Sequence, residues 1–297
     1  MIYSGKFKLV GIICASFVLF TACDEQTVSS GEMTSVEIDS TKTEFVNVAG
    51  KLFSIPSPIQ TAILIKESEA NYNREVLNDP SKAANYISKN QRALNLGTYG
   101  TDMAYTSLYD DSQAALRYFK AVENLAEELE IKGAMDAEII KRLGSNVGNS
   151  DSLLILSGKF FEASDKYLKE NDRYDLAALI LAGGWVEASY LTALTANEGN
   201  KAARSRLAAQ KKALITLCEV LESSADDTFN SSTTRAQLES LKNVFKNVSH
   251  DYTFQQPETN PEEKLTVITS ESTFNLTDEQ LSEISSRLKR LRASITE

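Results

Sequence analysis

The chain has 297 residues and a formal charge of −10, with 41 acidic side chains, 31 basic ones and a single histidine. Its cations form no Lys/Arg patch of the kind that grips phosphate backbones, which argues against a nucleic-acid partner. Of three cysteines, Cys14 and Cys23 lie in the first 23 residues and Cys218 stands alone beyond them, so the body has neither a Cys/His zinc set nor an internal disulfide to draw on.

Residues 1–8 carry Lys6 and Lys8 and no acid, and Leu9–Phe20 is an apolar run with one glycine. A run of that length suits a signal-peptide core and falls short of the ~20 residues that span a bilayer. Phe20-Thr21-Ala22-Cys23 follows, with small residues just before the cysteine. This resembles the bacterial lipobox, with Phe20 where leucine is usual. The resemblance implies a signal peptide over residues 1–22 and a lipid on Cys23, with the protein held in the cell envelope by its acyl chains. Each buried CH2 contributes ~0.8 kcal/mol to such an anchor. Anionic headgroups repel an acidic surface, so the lipid rather than the protein face is expected to make the membrane contact.

Residues 23–54 read as the lipidated cysteine and a flexible tether. Ser, Thr and acids dominate residues 24–50, too polar to offset the entropy of ordering. Asp24-Glu25 resembles the acidic signal that sends Bacteroidota lipoproteins to the cell surface, making an outer-membrane location the expectation. Asp39-Ser40-Thr41 resembles the O-glycosylation signal of exported proteins from the same group, with Ser40 as acceptor.

A helical domain is expected over residues 55–250. Ser57-Pro58-Ile59-Gln60 has the form of a capping box with proline at the first helical position. Helical spacing then recurs from about Ser88 to Tyr109, over 112–131, over 136–143, from Ser150 or Asp151, through Leu176–Thr195, over 201–222 and over 233–248. The Leu176–Thr195 segment is apolar on most faces, and charges bracket and interrupt it, so it is expected at the centre of the core and not in a membrane. Cys218 falls on the apolar side of its helix as a buried, inert thiol. His250, at the end of a helix, would favour the helix dipole. In residues 251–297 a strand pair, Lys264–Thr269 with Ser272–Asn275, precedes a last helix opened by the capping box Thr277-Asp278-Glu279-Gln280. The fold class is all-α: an antiparallel multi-helix bundle with a small strand pair near the C-terminus.

Two helical segments carry unexpected polar groups. In the first, Asn95, Tyr99, Asp102 and Tyr105 share a neighbourhood at spacings of three, four and seven, beside Gly97 and Gly100. This set makes either a pocket wall or a close helix crossing with satisfied buried groups, and the second is the commoner outcome. In the other segment, Gly183-Gly184 permits a close approach, Trp185 can fill the core or stack a ligand, and Glu187 sits among apolar neighbours. A buried carboxylate needs a cation; Arg142 is the expected one, with Asn146 and Asp151 nearby. With the lipobox, the helical part from Pro56-Ser57-Pro58 to beyond Trp185 resembles an uncharacterised family of Bacteroidota lipoproteins. That resemblance transfers no activity, cofactor or site residue.

These readings point to an envelope lipoprotein acting as a binding or interaction module, with no cofactor and no catalytic or metal residues assigned. Its partner would be an envelope protein or a glycan, besides the membrane. The competing expectation is a carboxylate-only hydrolase or a carboxylate–metal enzyme using Asp102, Glu187 and Asp151.

Overall fold

A computed structural model of the chain describes residues 44–48, 51–55, 58–67, 69–131, 141–142, 145, 150–230, 232–260, 265–267 and 270–297. Cys23 and Ser40 lie outside them.

Strands β1 (Glu44–Val48) and β2 (Lys51–Ile55) pair antiparallel, Glu44 opposite Ile55 and Val48 opposite Lys51. This corrects the expected tether: residues 44–48 and 51–54 of it lie in paired strands. Composition averaged over residues 24–50 hides the cause, because apolar Phe45, Val46 and Val48 sit at the end of that span and Leu52, Phe53 and Ile55 just beyond it.

Nine helices follow among the described residues: α1 (Pro58–Glu67), α2 (Lys89–Leu108), α3 (Ser112–Glu128), α4 (Ser150–Glu170), α5 (Tyr174–Asn197), α6 (Lys201–Ser224), α7 (Asp227–Asn230), α8 (Thr233–Phe245) and α9 (Asp278–Thr296). Local chemistry sets their limits. Ser88 and Gln91 close a capping box on α2, as Thr277 and Gln280 do on α9. Asp111, Asn200 and Ser232 cap α3, α6 and α8 through their side chains. Beyond their C-terminal ends, Glu69, Asp110, Glu130 and Asp172 take the left-handed backbone that glycine usually supplies. Arg173, just before α5, donates to the carbonyls of Leu129 and Glu130 and so satisfies the open end of α3.

The bundle is organised around α5. Its largest interface is with α2, and it also packs on α1, α4, α6 and α9. Among the described helices it alone is long and apolar enough to cross a membrane, yet 89% of its apolar window is buried inside the protein. Two glycines set the α2–α5 distance. A Cβ on Gly97 would sit 1.9 Å from the Ile180 carbonyl oxygen, and one on Gly183 would sit 1.8 Å from the Leu94 carbonyl oxygen. The two backbones therefore touch, which any larger residue at either place prevents. Thr101 Oγ1 adds a bond to the Gly184 carbonyl at 3.3 Å across the same crossing.

Between α8 and α9 the chain leaves the bundle as a two-stranded arm. Strand β3 (Ser249–Thr253) pairs with β6 (Glu271–Asn275), and β4 (Glu258–Asn260) with β5 (Leu265–Val267), all antiparallel. The expected pairing of Lys264–Thr269 with Ser272–Asn275 is thus corrected: the two segments lie along one side of a nested hairpin. His250 is corrected too. It caps no helix, since α8 ends at Phe245; it lies in β3, with its ring stacked on Phe274 at 4.2 Å and Nε2 2.6 Å from Ser272 Oγ.

Candidate functional site

Buried polar groups gather where α2, α5 and α9 meet. Helix α9 buries Leu281, Ile284, Leu288, Leu291 and Ile295, and packs on α5 and α8. Burial of each such side chain contributes roughly 1.5–3 kcal/mol, enough to press the neighbouring Arg292 inward with them. Arg292 meets Glu187 of α5 in a two-pronged ion pair. Its Nε donates to Oε2 at 2.6 Å and an Nη to Oε1 at 2.9 Å. The guanidinium also lies over the Tyr190 ring, 4.6 Å from its centroid. Glu187 has no exposed surface in its side chain, and that of Arg292 is 15% exposed.

The expected pairing of Glu187 with Arg142 is therefore corrected. Both Glu187 oxygens are occupied by an arginine 105 residues downstream, brought in by the α9–α5 packing. Arg142 itself is half-buried. Asn146 lies outside the described residues, as does the side chain of Asp151.

Asp102 of α2 completes the cluster. It is fully buried, and Oδ2 accepts the Asn78 backbone N–H at 3.2 Å. Oδ1 has no hydrogen-bond partner among the described residues, and the charged Glu187–Arg292 pair neighbours it. Burial first, and then the negative charge of Glu187, hold the Asp102 carboxyl well above the usual carboxylate range, against the opposing pull of Arg292. That shift favours the neutral acid form of Asp102, which would leave one negative charge facing one guanidinium. Burial pulls Arg292 down, but Glu187 outweighs it and keeps the guanidinium firmly charged.

Around this centre the remaining polar groups are occupied. Asn95 Nδ2 donates to the Ile295 carbonyl at 2.7 Å and to the Gln91 carbonyl at 2.9 Å, while its Oδ1 accepts from Asn78 Nδ2 at 3.2 Å. Tyr86, which also accepts from Asn78, donates to the Thr296 carbonyl at 3.2 Å. Helix α2 and the segment before it thus close the C-terminal end of α9. Tyr99 donates to the Asp79 carbonyl, Tyr105 to the Asn71 carbonyl, and Tyr109 to the Ala70 carbonyl. These hydroxyls bind the irregular segment 70–86 down onto α2. Trp185 is core, with Nε1 donating to Gln210 Oε1 at 2.9 Å. Cys218 is buried, and desolvation pushes its thiol up to about 11.

The structure thus joins Asn95, Asp102 and Glu187 into one network and places Tyr99, Tyr105 and Trp185 beside it as packing. Sequence reasoning missed Arg292, Asn78, Tyr86 and Gln210. For Arg292 a signal existed: it follows Leu288 by four residues and precedes Ile295 by three, at the border of the apolar stripe of α9. Among the described residues, no group of three or more His, Cys, Asp or Glu side chains could hold a metal ion. A neutral carboxylic acid beside a carboxylate can move a proton, but Asp102 and Glu187 have no solvent-exposed surface through which a substrate could approach. No known protein family, curated protein or solved structure matches the chain.

Proposed function

We propose that this chain is a lipid-anchored envelope protein that works as a binding or interaction module, held by acyl chains on Cys23 and directed to the outer membrane by Asp24-Glu25. The lipobox-like Phe20-Thr21-Ala22-Cys23 supports the anchor, and Ser40 would be its glycosylated neighbour. The observation that carries the non-catalytic part is the buried Asp102–Glu187–Arg292 cluster, where both carboxyl groups are shut away from solvent and Glu187 is held by a cation. In a module of this kind the helical bundle serves as a rigid body, and a protein or glycan partner meets its outside.

The decisive experiment labels cells of the native host with a palmitate analogue. Wild-type protein takes up label and sediments with outer membranes; Cys23→Ala loses both. Retention of label by Cys23→Ala overturns the anchor.

A carboxylate-dependent hydrolase is the second reading, favoured by one feature, the fully buried Asp102 carboxyl whose pKa burial and Glu187 raise. It requires an opening between α2 and α5. Esterase or glycosidase turnover abolished by Asp102→Asn in a folded protein would establish it in place of the module.

A further inference from the structure

The arm formed by residues 249–275 is built unlike the rest of the chain. Its root is fixed: Val248 and Leu276 are buried, β6 rests on α6, and the Lys212 ammonium lies 5.8 Å from the Phe274 ring centroid. Beyond the root, β4 and β5 pair with each other and pack substantially on no described helix. Two strands alone are marginally stable in water; a third strand or a packed face is normally needed.

Four large apolar side chains on the arm face solvent: Tyr252 (59% exposed), Phe254 (66%), Leu265 (50%) and Val267 (45%). Tyr252 and Phe254 are two residues apart, as are Leu265 and Val267, so each pair has the spacing that places side chains on one face of a strand. A further irregularity lies mid-arm. Thr253 opposes Glu271 and Glu258 opposes Val267, which leaves one more residue on the β3–β4 side than on the other. Ser270 Oγ bridges the gap, accepting from Gln255 N and donating to Gln255 O at 3.0 Å each. The two short ladders are thus joined by a side-chain bridge, and among the described residues no further strand pairs with the outer edges.

Charge selects the occupant. The arm contains Asp251, Glu258, Glu262, Glu263 and Glu271 against Lys264 alone. Anionic membrane surfaces repel such an arm, and a second copy would bring the same acids. We propose that the arm is a docking surface for an extended, basic segment of another protein, which adds as a third strand along an open edge and covers the exposed apolar side chains. Main-chain bonds would provide the pairing, and opposite charge the selectivity. This rests on the reading of the chain as an interaction module, but not on its lipid anchor.

The test uses the full-length chain in detergent and a fluorescent peptide of alternating Lys and Val, with an equally charged Lys/Ser peptide as control. The Lys/Val peptide binds and the control does not. Tyr252→Thr with Phe254→Thr, which keeps strand propensity, weakens binding about tenfold or more. Asp251→Lys leaves the apolar side chains in place, and it weakens binding at low salt but not at high salt. Equal binding of the two peptides, or binding unchanged in the double variant, overturns the proposal. So does arm-dependent binding to phosphatidylcholine vesicles, which would make the occupant a membrane, or arm-dependent dimerisation in sedimentation, which would make it a second copy. Failure here with Cys23 still lipidated removes the arm alone; loss of lipid labelling with peptide binding intact removes only the anchor.

Discussion

The α2–α5–α9 centre and the arm dispose of polar groups in opposite ways. In the centre, Asp102 and Glu187 are withdrawn from water and Glu187 depends on Arg292 for its partner, which makes that pair costly to break. On the arm, Asp251 stays hydrated and apolar side chains project outward, so single changes cost the fold little. The difference separates what holds this protein together from the surface proposed to meet a partner. A buried ionic cluster speaks for architecture; exposed apolar side chains on a two-stranded arm support the proposed contact.

The largest effect is expected at Arg292. Arg292→Met strands the Glu187 carboxylate in the core and should cost about 3–5 kcal/mol in urea unfolding. Replacing both partners, Glu187→Met with Arg292→Met, should recover most of that loss, because no uncompensated charge then remains. If the double variant is as unstable as the single one, the cost comes from packing and the ion-pair account fails.

Next comes the helix crossing. Gly183→Ala places a methyl group 1.8 Å from the Leu94 carbonyl oxygen, so α2 and α5 must separate. Overpacking of a tight core typically costs about 1–3 kcal/mol, and a clash with backbone belongs at or above the upper end. A melting temperature equal to wild type would show that the two backbones do not touch as described.

Much of the centre could be read in the sequence, and its limits are physical. Helices α2, α3, α5 and α9 announce themselves by periodic apolar residues, and the Thr277–Gln280 box marks the start of α9 because capping is local chemistry. Gly183-Gly184 signals a close approach, and Glu187 signals a need for a cation. Which cation cannot follow from local pattern, since Arg142 and Arg292 both lie far from Glu187 in the chain and only packing decides between them. The β pairings fail for the same reason. Ser272–Asn275 carries a strand pattern, but its partner, Ser249–Thr253, lies across a long connection and reads as the end of a helix. Composition misled once, at β1–β2, where a polar average concealed a short apolar cluster.

A smaller, pH-dependent effect follows from Asp102. Its folded pKa is raised by burial and by Glu187, while in the unfolded chain it titrates near the ordinary ~3.9. Below that value both states hold the proton, and the neutral carboxyl's contribution is fully present. As pH rises above about 4 the unfolded chain releases its proton while the fold retains it, so this group's contribution falls with pH until the folded pKa is passed. Asp102→Asn keeps a neutral donor for Glu187 and removes the titration. The stability of wild type relative to Asp102→Asn should therefore decline from about pH 4 upward, measured as melting temperature over a pH series. A relative gain for wild type with rising pH would mean that Asp102 is ionised in the fold.

The smallest effect belongs to the arm, and there a null result is the informative one. Tyr252 and Phe254 are more than half exposed, so Tyr252→Thr with Phe254→Thr removes almost no buried contact and keeps β-branched strand formers in place. Unfolding free energy should stay within about 0.5 kcal/mol of wild type for changes of this kind. Placed beside the several kcal/mol at Arg292, that near-zero value would sharpen the contrast: side chains this apolar, held in water at no benefit to the fold, fit the proposed docking surface. A loss comparable to the Arg292→Met variant would instead make the aromatic pair part of the core and dissolve the distinction between the two regions.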